Sequence, residues 1–165
     1  MKSPVRLQPL SLADEREFIE AAVRSKVLHG SWVSPPLTPV AFRRMAERGP
    51  ADLSFLVRRA DDARPIGYIG VTNIVRGVFQ SAYLGYYAFA PLAGQGLMRE
   101  GLQLTLRHAF RTLKLHRLEA NIQSGNAASI ALVRGQGFRL EGYSPRYLKI
   151  NGRWRDHERW AILAD

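Results

Sequence analysis

The sequence predicts a single α/β (α+β) domain over residues 1–165, with a mixed, mostly antiparallel sheet of about seven strands and about four helices. Its 165 residues, 46% of them hydrophobic, suffice for one packed domain. Three consecutive strand-like runs indicate an antiparallel meander. An Asn-Gly pair between two alternating segments near the end indicates a tight hairpin. The predicted element order is βααβββαβαββ.

The first third of the chain opens with one strand and one helix. Residues 5–10 are typical of a strand, and Ser11 can cap a helix over residues 11–28. Asp14, three positions after Ser11, would complete a capping box. Apolar residues at helical spacing give this helix one predicted buried face, made of Phe18, Ile19, Ala22, Val23 and Val27.

A rigid loop and a second helix follow. The loop is GSWVSPPL, residues 30–37. Thr38 as cap and Pro39 in the first turn begin the helix, and Gly49 ends it.

The rest of the chain alternates strands and helices. The short turns DDARP and VRGVFQS join the three strands of the meander. A long helix then follows the fourth strand directly. Its apolar residues repeat with helical period. The predicted strands are residues 53–59, 66–74, 83–89, 118–123, 138–150 and 153–163, and the predicted helices are residues 96–113 and 126–136.

Composition excludes several classes of site. The chain has no cysteine, which removes disulfides, thiolate metal sites and a cysteine acyl-enzyme. Its four histidines lack i, i+4 pairing, so no metal site is expected. No window approaches the ~18 consecutive apolar residues of a membrane span, and the N-terminus turns acidic before any apolar run, unlike a secretory signal. We therefore expect a soluble, cytoplasmic protein without a membrane partner.

The net charge of +10 has two interpretations. The basic residues are spread along the chain, which is compatible with a solvated, positively charged surface. They are equally compatible with a polyanionic partner, namely a nucleotide-bearing cofactor, RNA or a ribonucleoprotein.

The segment LAGQGLMREG, residues 92–101, places two glycines at the start of the long helix. A Walker loop needs Gly-Lys-Ser/Thr, which Leu97 and Met98 do not supply. A dinucleotide fingerprint needs a third glycine where Arg99 stands. A strand-to-helix turn whose N–H groups bind a pyrophosphate remains, with a plain tight turn as the alternative.

A second segment carries a family resemblance. The stretch HRLEANIQSGNAASIALVRGQGFRLEGY resembles the pattern of the GCN5-related N-acetyltransferases (GNAT superfamily), in which a strand leads into Asn-x-x-Ser and a short helix ends in Gly-Phe. Here these residues are Asn126, Ser129, Gly137 and Phe138. TNIVRGVFQSAYLGYYAF, GQGLMREGL, GFRLEGY and YLKINGRWRDHERWAIL resemble the RimJ type of the RimJ/RimL branch, whose members acetylate N-terminal amines of ribosomal proteins. The resemblance covers most of the chain from Ile66 onward.

The resemblance implies acetyl-CoA as co-substrate. Backbone amides of the glycine turn would hold its pyrophosphate, although Ala93 stands where the family commonly has Gln or Arg. The pantetheine would lie along the splayed end of the fourth strand, where an amide would polarise the thioester carbonyl. The cofactor-binding residues so implied are Phe89, Ala90, Gly94, Gln95, Gly96, Leu97, Met98, Arg99, Asn126 and Ser129.

The implied reaction is attack of a neutral amine on the thioester, with expulsion of a thiolate. The resemblance makes Ser129 the proton donor to that thiolate; the alternatives are an ordinary helix serine and, for Asn126, a plain N-cap. A peptide α-amine has a pKa of roughly 8, so a carboxylate acting through water suffices as base. Glu119, Glu141 and Asp156 are the candidates, and each could instead form a surface ion pair.

Four residues are expected on the acceptor side. Asn73 and Arg76 resemble substrate-side residues of the RimJ type. Tyr87 lies on the fourth strand, and Trp32 is either a pocket wall or a core residue. Asp156 could also orient substrate.

The implied function is acetyl-CoA-dependent acetylation of the N-terminal α-amine, on Ala or Ser, of a small-subunit ribosomal protein. The same fold acting on a small amine or antibiotic is one alternative. A ribosome- or RNA-associated protein that keeps the fold as a scaffold is another, favoured by the charge. Either a monomer or a homodimer is expected.

Overall fold

The computed structural model describes residues 3–165. Within them no helix has the length and apolarity needed to cross a bilayer, and no three potential metal-ligating side chains cluster. The strands are β1 (Val5–Pro9), β2 (Leu53–Arg59), β3 (Pro65–Val75), β4 (Ser81–Ala88), β5 (Arg117–Gln123), β6 (Arg139–Ile150) and β7 (Arg153–Leu163). The helices are α1 (Glu15–Arg24), α2 (Lys26–His29), α3 (Pro39–Ala46), α4 (Leu97–Arg107) and α5 (Ala127–Gly135).

The seven strands form one sheet in the order β1-β2-β3-β4-β5-β7-β6. Every neighbouring pair is antiparallel except β4 and β5, which are parallel. The predicted mixed, mostly antiparallel sheet is therefore confirmed. β4 and β5 pair only from Ser81↔Arg117 to Tyr83↔Glu119 and then diverge. Because the later residues of β4 have no strand partner on that side, the sheet opens there into a V-shaped cleft, which we call the splay cleft.

Helices cover both faces of the sheet. On one face, α4 and α5 pack on a core that includes Leu102, Ile69 and Leu118. On the other face, α1 and α3 contribute Phe18 and Phe42, which pack against one another with ring centroids 5.2 Å apart. The two cores fix β4 from both sides, so the position of the cleft is set by packing.

The first predicted helix is interrupted, which is why the structure has five helices where about four were expected. The interruption lies at Ser25, whose buried hydroxyl donates to the Ala21 carbonyl at 2.7 Å and accepts from the Ala90 amide at 2.9 Å. A contact with the end of β4, distant in sequence, therefore ends α1.

The buried face predicted for this helix is correct at Phe18 and Ala22 and wrong at Val23 and Val27. Val23 is 44% exposed and Val27 is 97% exposed. The break changes the helical phase, so α2 turns His29 toward the protein interior in place of Val27.

The helix start and the hairpin turn predicted from adjacent residues are both present in the structure. Thr38 caps α3 by accepting a hydrogen bond from the Ala41 amide at 3.3 Å, and Pro39 occupies the first helical position, as predicted. Asn151 and Gly152 both have positive φ, 48° and 77°, as the predicted hairpin turn requires.

A buried ion pair joins α1 to the sheet. The Arg58 guanidinium on β2 contacts Asp14 at 3.0 Å and Glu17 at 2.7 Å, and both Arg58 and Asp14 are buried. Asp14 also accepts the Ser11 amide at 2.9 Å, as the predicted capping box requires.

Candidate active site

The splay cleft forms a cavity of about 460 Å³ between β4 and the β5–α5 connection. Apolar side chains dominate its walls, and a few polar groups converge on it, as is usual for small-molecule sites. Its lining comprises Leu28, His29, Trp32, Val33, Tyr86, Tyr87, Ala88, Leu92, Ala93, Gly94, Gly96, Met98, Asn126, Ala128, Ser129 and Leu132.

The backbone of β4 sets which groups face the cleft. The register of β3 with β4 and the bond from the Phe89 amide to the Ile66 carbonyl, 2.7 Å, direct the backbone of Tyr87 and Phe89 toward β3. The backbone groups of Tyr86 and Ala88 therefore face the cleft. An extended ligand can hydrogen-bond to them as a strand would.

Two predicted cofactor residues are not placed to bind a ligand. The Phe89 side chain is fully buried among α1 and α3, and its amide is used by β3. The Ala90 amide is bonded to the Ser25 hydroxyl. Tertiary packing thus removes Phe89 and Ala90 from the cleft, and Ala88 lines it instead.

The glycine turn presents main-chain donors at the start of α4. Gly94 and Gly96 both have φ of 77°, a left-handed conformation that favours glycine. The amides of Arg99 and Glu100 donate to the Gly96 carbonyl, at 3.1 and 3.4 Å, and these are the first hydrogen bonds of the helix. The preceding amides, of Leu97 and Met98, point out of the helix start, where the dipole is positive. This arrangement suits an anion.

The remaining predicted residues of this turn differ in role. Gln95 and Arg99 have exposed side chains, so their expected contribution is the position of their amides along the turn. Leu97, the first residue of α4, packs on the core, whereas Met98 packs there and also lines the cleft.

A serine and a tyrosine meet on the cleft wall. The Ser129 hydroxyl, in the first turn of α5, lies 2.6 Å from the Tyr86 hydroxyl. Burial raises the pKa of Tyr86 to about 12, so the phenol keeps its proton at neutral pH. Asn126 caps α5 by accepting the Ser129 amide at 3.3 Å, and this cap orients the first turn.

His29 and Tyr86 were not identified from the sequence. His29 Nε2 lies 2.7 Å from the Ala88 carbonyl at the edge of the cleft, and burial lowers the pKa of this histidine. A neutral ring that donates from Nε2 fits this contact. The strand pattern of YLGYYAF offered a signal for Tyr86 only, because alternation places it on the face that the later helices cover.

Trp32 lies at the mouth of the cleft and is 36% exposed, so it is a pocket wall and not a core residue. Its ring is packed so closely on Gly125 that a Cβ there would lie 3.1 Å away. The Gln123 side-chain amide donates to the carbonyls of Ser31 and Trp32, at 2.8 and 3.2 Å. These contacts hold the early loop across the open end of the splay.

Asp156 lines a neighbouring cavity of about 300 Å³ that shares Trp32 with the splay cleft. Its carboxylate accepts the Tyr143 hydroxyl at 2.6 Å and the Arg146 amide at 2.7 Å. These two hydrogen bonds lower the pKa of Asp156, and the one from Tyr143 has the larger effect. The group is therefore ionised across the neutral range.

The other two carboxylate candidates are held by one arginine. Glu119 lies at the apex of the splay and accepts from Arg117 at 2.8 Å. Arg117 also bonds Glu141 and thereby lowers the pKa of that carboxyl. Neither carboxylate lines the cavities described above.

Asn73 and Arg76 are not brought to the cleft. Ala88 at the cleft faces Gly67, and Asn73 follows six residues later on β3, roughly 20 Å away at ~3.3 Å per residue. The Asn73 amide donates to Asp52 at 2.9 Å, and Arg76 donates to the Leu113 carbonyl. The strand direction places both residues at the opposite end of the sheet, so the geometry gives no support to the acceptor-side role predicted for them.

Comparison with known proteins agrees with this architecture. Residues 5–139 match the acetyltransferase (GNAT) domain family. The probable N-acetyltransferase YjcK of Bacillus subtilis (strain 168) is 39% identical over 109 residues, which cover 66% of this chain and 60% of YjcK. The [ribosomal protein uS5]-alanine N-acetyltransferase of Escherichia coli (strain K12) is 42% identical over 104 residues, 63% of this chain and 54% of that protein. The chain thus spans little more than half the length of these curated relatives.

A solved structure shares the whole fold. Mycobacterium smegmatis RimJ in complex with CoA-disulfide superposes with a TM-score of 0.88 at 27% identity, over 97% of this chain and 82% of that one. The resemblance stated from the sequence is confirmed at the level of family and fold. The chain belongs to the GNAT acetyltransferase family.

Proposed function

We propose that this chain is an acetyl-CoA-dependent N-acetyltransferase whose acceptor is the N-terminal α-amine of a protein. The observation that carries the proposal is the splay cleft, which has an anion-suited turn at one end and the Ser129–Tyr86 hydroxyl pair in its wall. The relatives named for N-acetyltransfer and the CoA complex of the M. smegmatis protein support it.

The residues present suit acetyl-CoA. Amides of the turn at Gly94 and Gly96, with those of Leu97 and Met98, would hold the pyrophosphate. The cleft-facing backbone of Tyr86 and the amide of Ala88 would bind the pantetheine amides, while the Ala88 carbonyl is held by His29. Bound there, acetyl-CoA supplies an activated acyl group and a leaving thiol.

Ser129 serves as the proton donor toward the leaving sulfur. Its hydroxyl can give its proton to the sulfur and regain one from water in the cleft. A hydrogen bond with Tyr86, whose oxygen is 2.6 Å away and whose pKa of about 12 keeps it protonated, holds the serine hydroxyl in place. The Asn126 cap keeps the Ser129 hydroxyl on the cleft side of α5. Ser129 is therefore the proton donor, and Tyr86 is a positioning residue that acts through Ser129.

Asp156 is the base we favour, with Glu119 as second candidate. Asp156 borders a cavity that adjoins the cleft through Trp32, whereas Glu119 is engaged by Arg117. The lowered pKa makes Asp156 a weak base. A weak base acting through water is sufficient because an α-amine with a pKa of roughly 8 is partly neutral near pH 7.

The acceptor we propose is a small-subunit ribosomal protein beginning with Ala or Ser. The relative named as an alanine N-acetyltransferase of ribosomal protein uS5 supports this substrate class. The net charge of +10 favours an acidic or RNA-bearing setting, and it also motivates the second candidate function, a ribosome- or RNA-associated scaffold.

A CoA-release assay across N-terminal peptides and small amines tests the proposal. Wild type should release CoA with Ala- and Ser-starting peptides, and Ser129→Ala should lose most of that rate. Thr112→Ala, which removes an exposed hydroxyl beyond α4, is the matched control. Turnover of polyamines or aminoglycosides, without turnover of any peptide, would mean that the acceptor is a small amine and not a protein N-terminus. Salt-sensitive RNA binding without turnover would favour the scaffold.

A further inference from the structure

A second cavity, which we call the arginine pocket, lies beside the active site. It has a volume of about 480 Å³ and is enclosed by the proline-containing segment 34–38, α3 and strands β3 and β4. Tyr68 and Tyr87 line it from the sheet, and Arg44 and Arg48 line it from α3 and the residues that follow. The active-site chemistry described above uses none of these four side chains.

The arginines reach the pocket because of helical spacing. Ala41, Arg44 and Met45 share one face of α3 at helical spacing, and Arg48, two residues beyond the helix end, lines the same pocket. Met45 is buried against the sheet, and this contact fixes the rotation of the helix. Arg44 and Arg48 then both line the pocket.

Neither arginine is neutralised. Among residues 3–165, Arg44 and Arg48 form no ion pair, whereas the adjacent Arg43 contacts Glu15 at 2.7 Å. The Asp52 carboxylate, near Tyr68, accepts the Asn73 amide at 2.9 Å. Two guanidinium groups that line one pocket without a carboxylate partner suit an anionic ligand.

The wall formed by the sheet adds apolar surface and a hydrogen-bond donor. Tyr68 and Tyr87 are stacked, with ring centroids 5.0 Å apart and 21° between the planes. Burial raises the pKa of Tyr87 well above its usual value, so its hydroxyl stays protonated. That hydroxyl donates to the Met45 thioether at 3.9 Å. A thioether is a weak acceptor, so a carboxylate would compete successfully for this donor.

The arginine pocket adjoins the active site at one residue. Tyr87 lines both the arginine pocket and the splay cleft, and the loop at residues 30–37 runs between them. The side chain of Tyr87 therefore places the arginine pocket within a few residues of a peptide whose first residue lies at the cleft mouth.

We propose that the arginine pocket binds an acidic side chain of the acceptor peptide, a few residues after the acetylated N-terminus. The proposal rests on the proposed function and specifies its substrate class further. The carboxylate would contact Arg44 and Arg48, and its methylene groups would lie against the stacked tyrosines. Acceptors with Glu or Asp behind the first residue would then be preferred over neutral ones.

Steady-state acetylation of matched peptides tests this. Ala-starting hexapeptides carry either Glu or Gln at one of positions 2 to 5, and CoA release is measured for each. At one or more of these positions Glu should raise kcat/KM about fivefold to tenfold, mainly through KM, as expected for two solvent-accessible cationic contacts. In the R44Q/R48Q double variant that preference should disappear, while the Gln peptide reacts as in wild type.

The control is R107Q/R111Q, which removes an equally spaced pair of exposed arginines from the end of α4 and the helical segment after it, on the other face of the sheet. It loses the same charge and should keep the preference for Glu. Equal rates for Glu and Gln at every position would overturn the proposal, as would a preference that survives in R44Q/R48Q or is lost in the control. Failure to acetylate any peptide, with or without acetyl-CoA binding, would overturn the proposed function itself. Acetylation of peptides without a preference for Glu would overturn only the role of the arginine pocket.

Discussion

The hydroxyl of Tyr86 on β4 lies 2.6 Å from the hydroxyl of Ser129 on α5, across the wall of the splay cleft. Asn126 holds the first turn of α5, and with it Ser129, through the helix cap. Tyr86 is held by its packing against the core. The pair joins the two segments that diverge to form the cleft, and it lies where an acyl thioester would be positioned in the proposed function.

Removal of either hydroxyl should slow the chemical step. Ser129→Ala should lower kcat about a hundredfold, and Tyr86→Phe about tenfold, because a positioned proton donor contributes typically 10²–10⁴-fold. Since the two act in series, the double variant should be no slower than Ser129→Ala alone. Single-turnover rates measure this. Effects that multiply would show that the hydroxyls act independently.

The left-handed backbone at Gly96 should be required for cofactor binding. Gly96→Val places a β-branched side chain at φ of 77°, at a strain of roughly 1–2 kcal/mol or more, and displaces the amides at the start of α4. The KM for acetyl-CoA should rise about tenfold or more with kcat less affected. Gly49→Val, at a glycine in open space outside the positive-φ region, is the control and should leave KM unchanged. An unchanged KM in Gly96→Val would contradict this.

Arg58 should be important for stability and not for chemistry. Arg58→Ala leaves Asp14 buried without its cation, so the free energy of unfolding should fall by about 3–5 kcal/mol. Urea denaturation measures it. Arg43→Ala removes an exposed pair with Glu15 and should have little effect. An equal loss of unfolding free energy in the two variants would mean that the buried ion pair contributes no more to stability than the exposed one.

His29 should make stability fall on acidification. Burial lowers the pKa of His29 below its usual 6.5, so below that pH the unfolded chain binds a proton that the folded chain resists. Stability is therefore retained above pH 6.5 and lost as the pH falls below it. Between pH 7.5 and 5.0, His29→Gln should lose less unfolding free energy than wild type, and the exposed-site control His116→Gln should behave as wild type. Identical pH dependence in all three proteins would refute the assignment.

The features that the sequence predicts well are those encoded locally. The cap at Thr38, the turn at Asn151-Gly152 and the glycine turn before α4 each depend on a few adjacent residues, and the structure contains all three. The Asn-x-x-Ser motif likewise identifies Asn126 as the cap that positions Ser129.

The features that the sequence does not reveal depend on distant contacts. The break at Ser25 requires the Ala90 amide, 65 residues away, and the burial of Phe89 requires α1 and α3. Tyr86 is recognisable as a site residue only once α5 lies beside β4. The direction of β3 determines that Asn73 lies far from the cleft, and no local pattern specifies that distance.

Calorimetric titration of the purified chain with acetyl-CoA tests the central claim most directly. We expect saturable heat with one site per chain, strongly weakened in Gly96→Val and retained in Gly49→Val. Absence of binding heat at any temperature tried, or binding that Gly96→Val leaves intact, would contradict the assignment of the splay cleft and its glycine turn as the acetyl-CoA site.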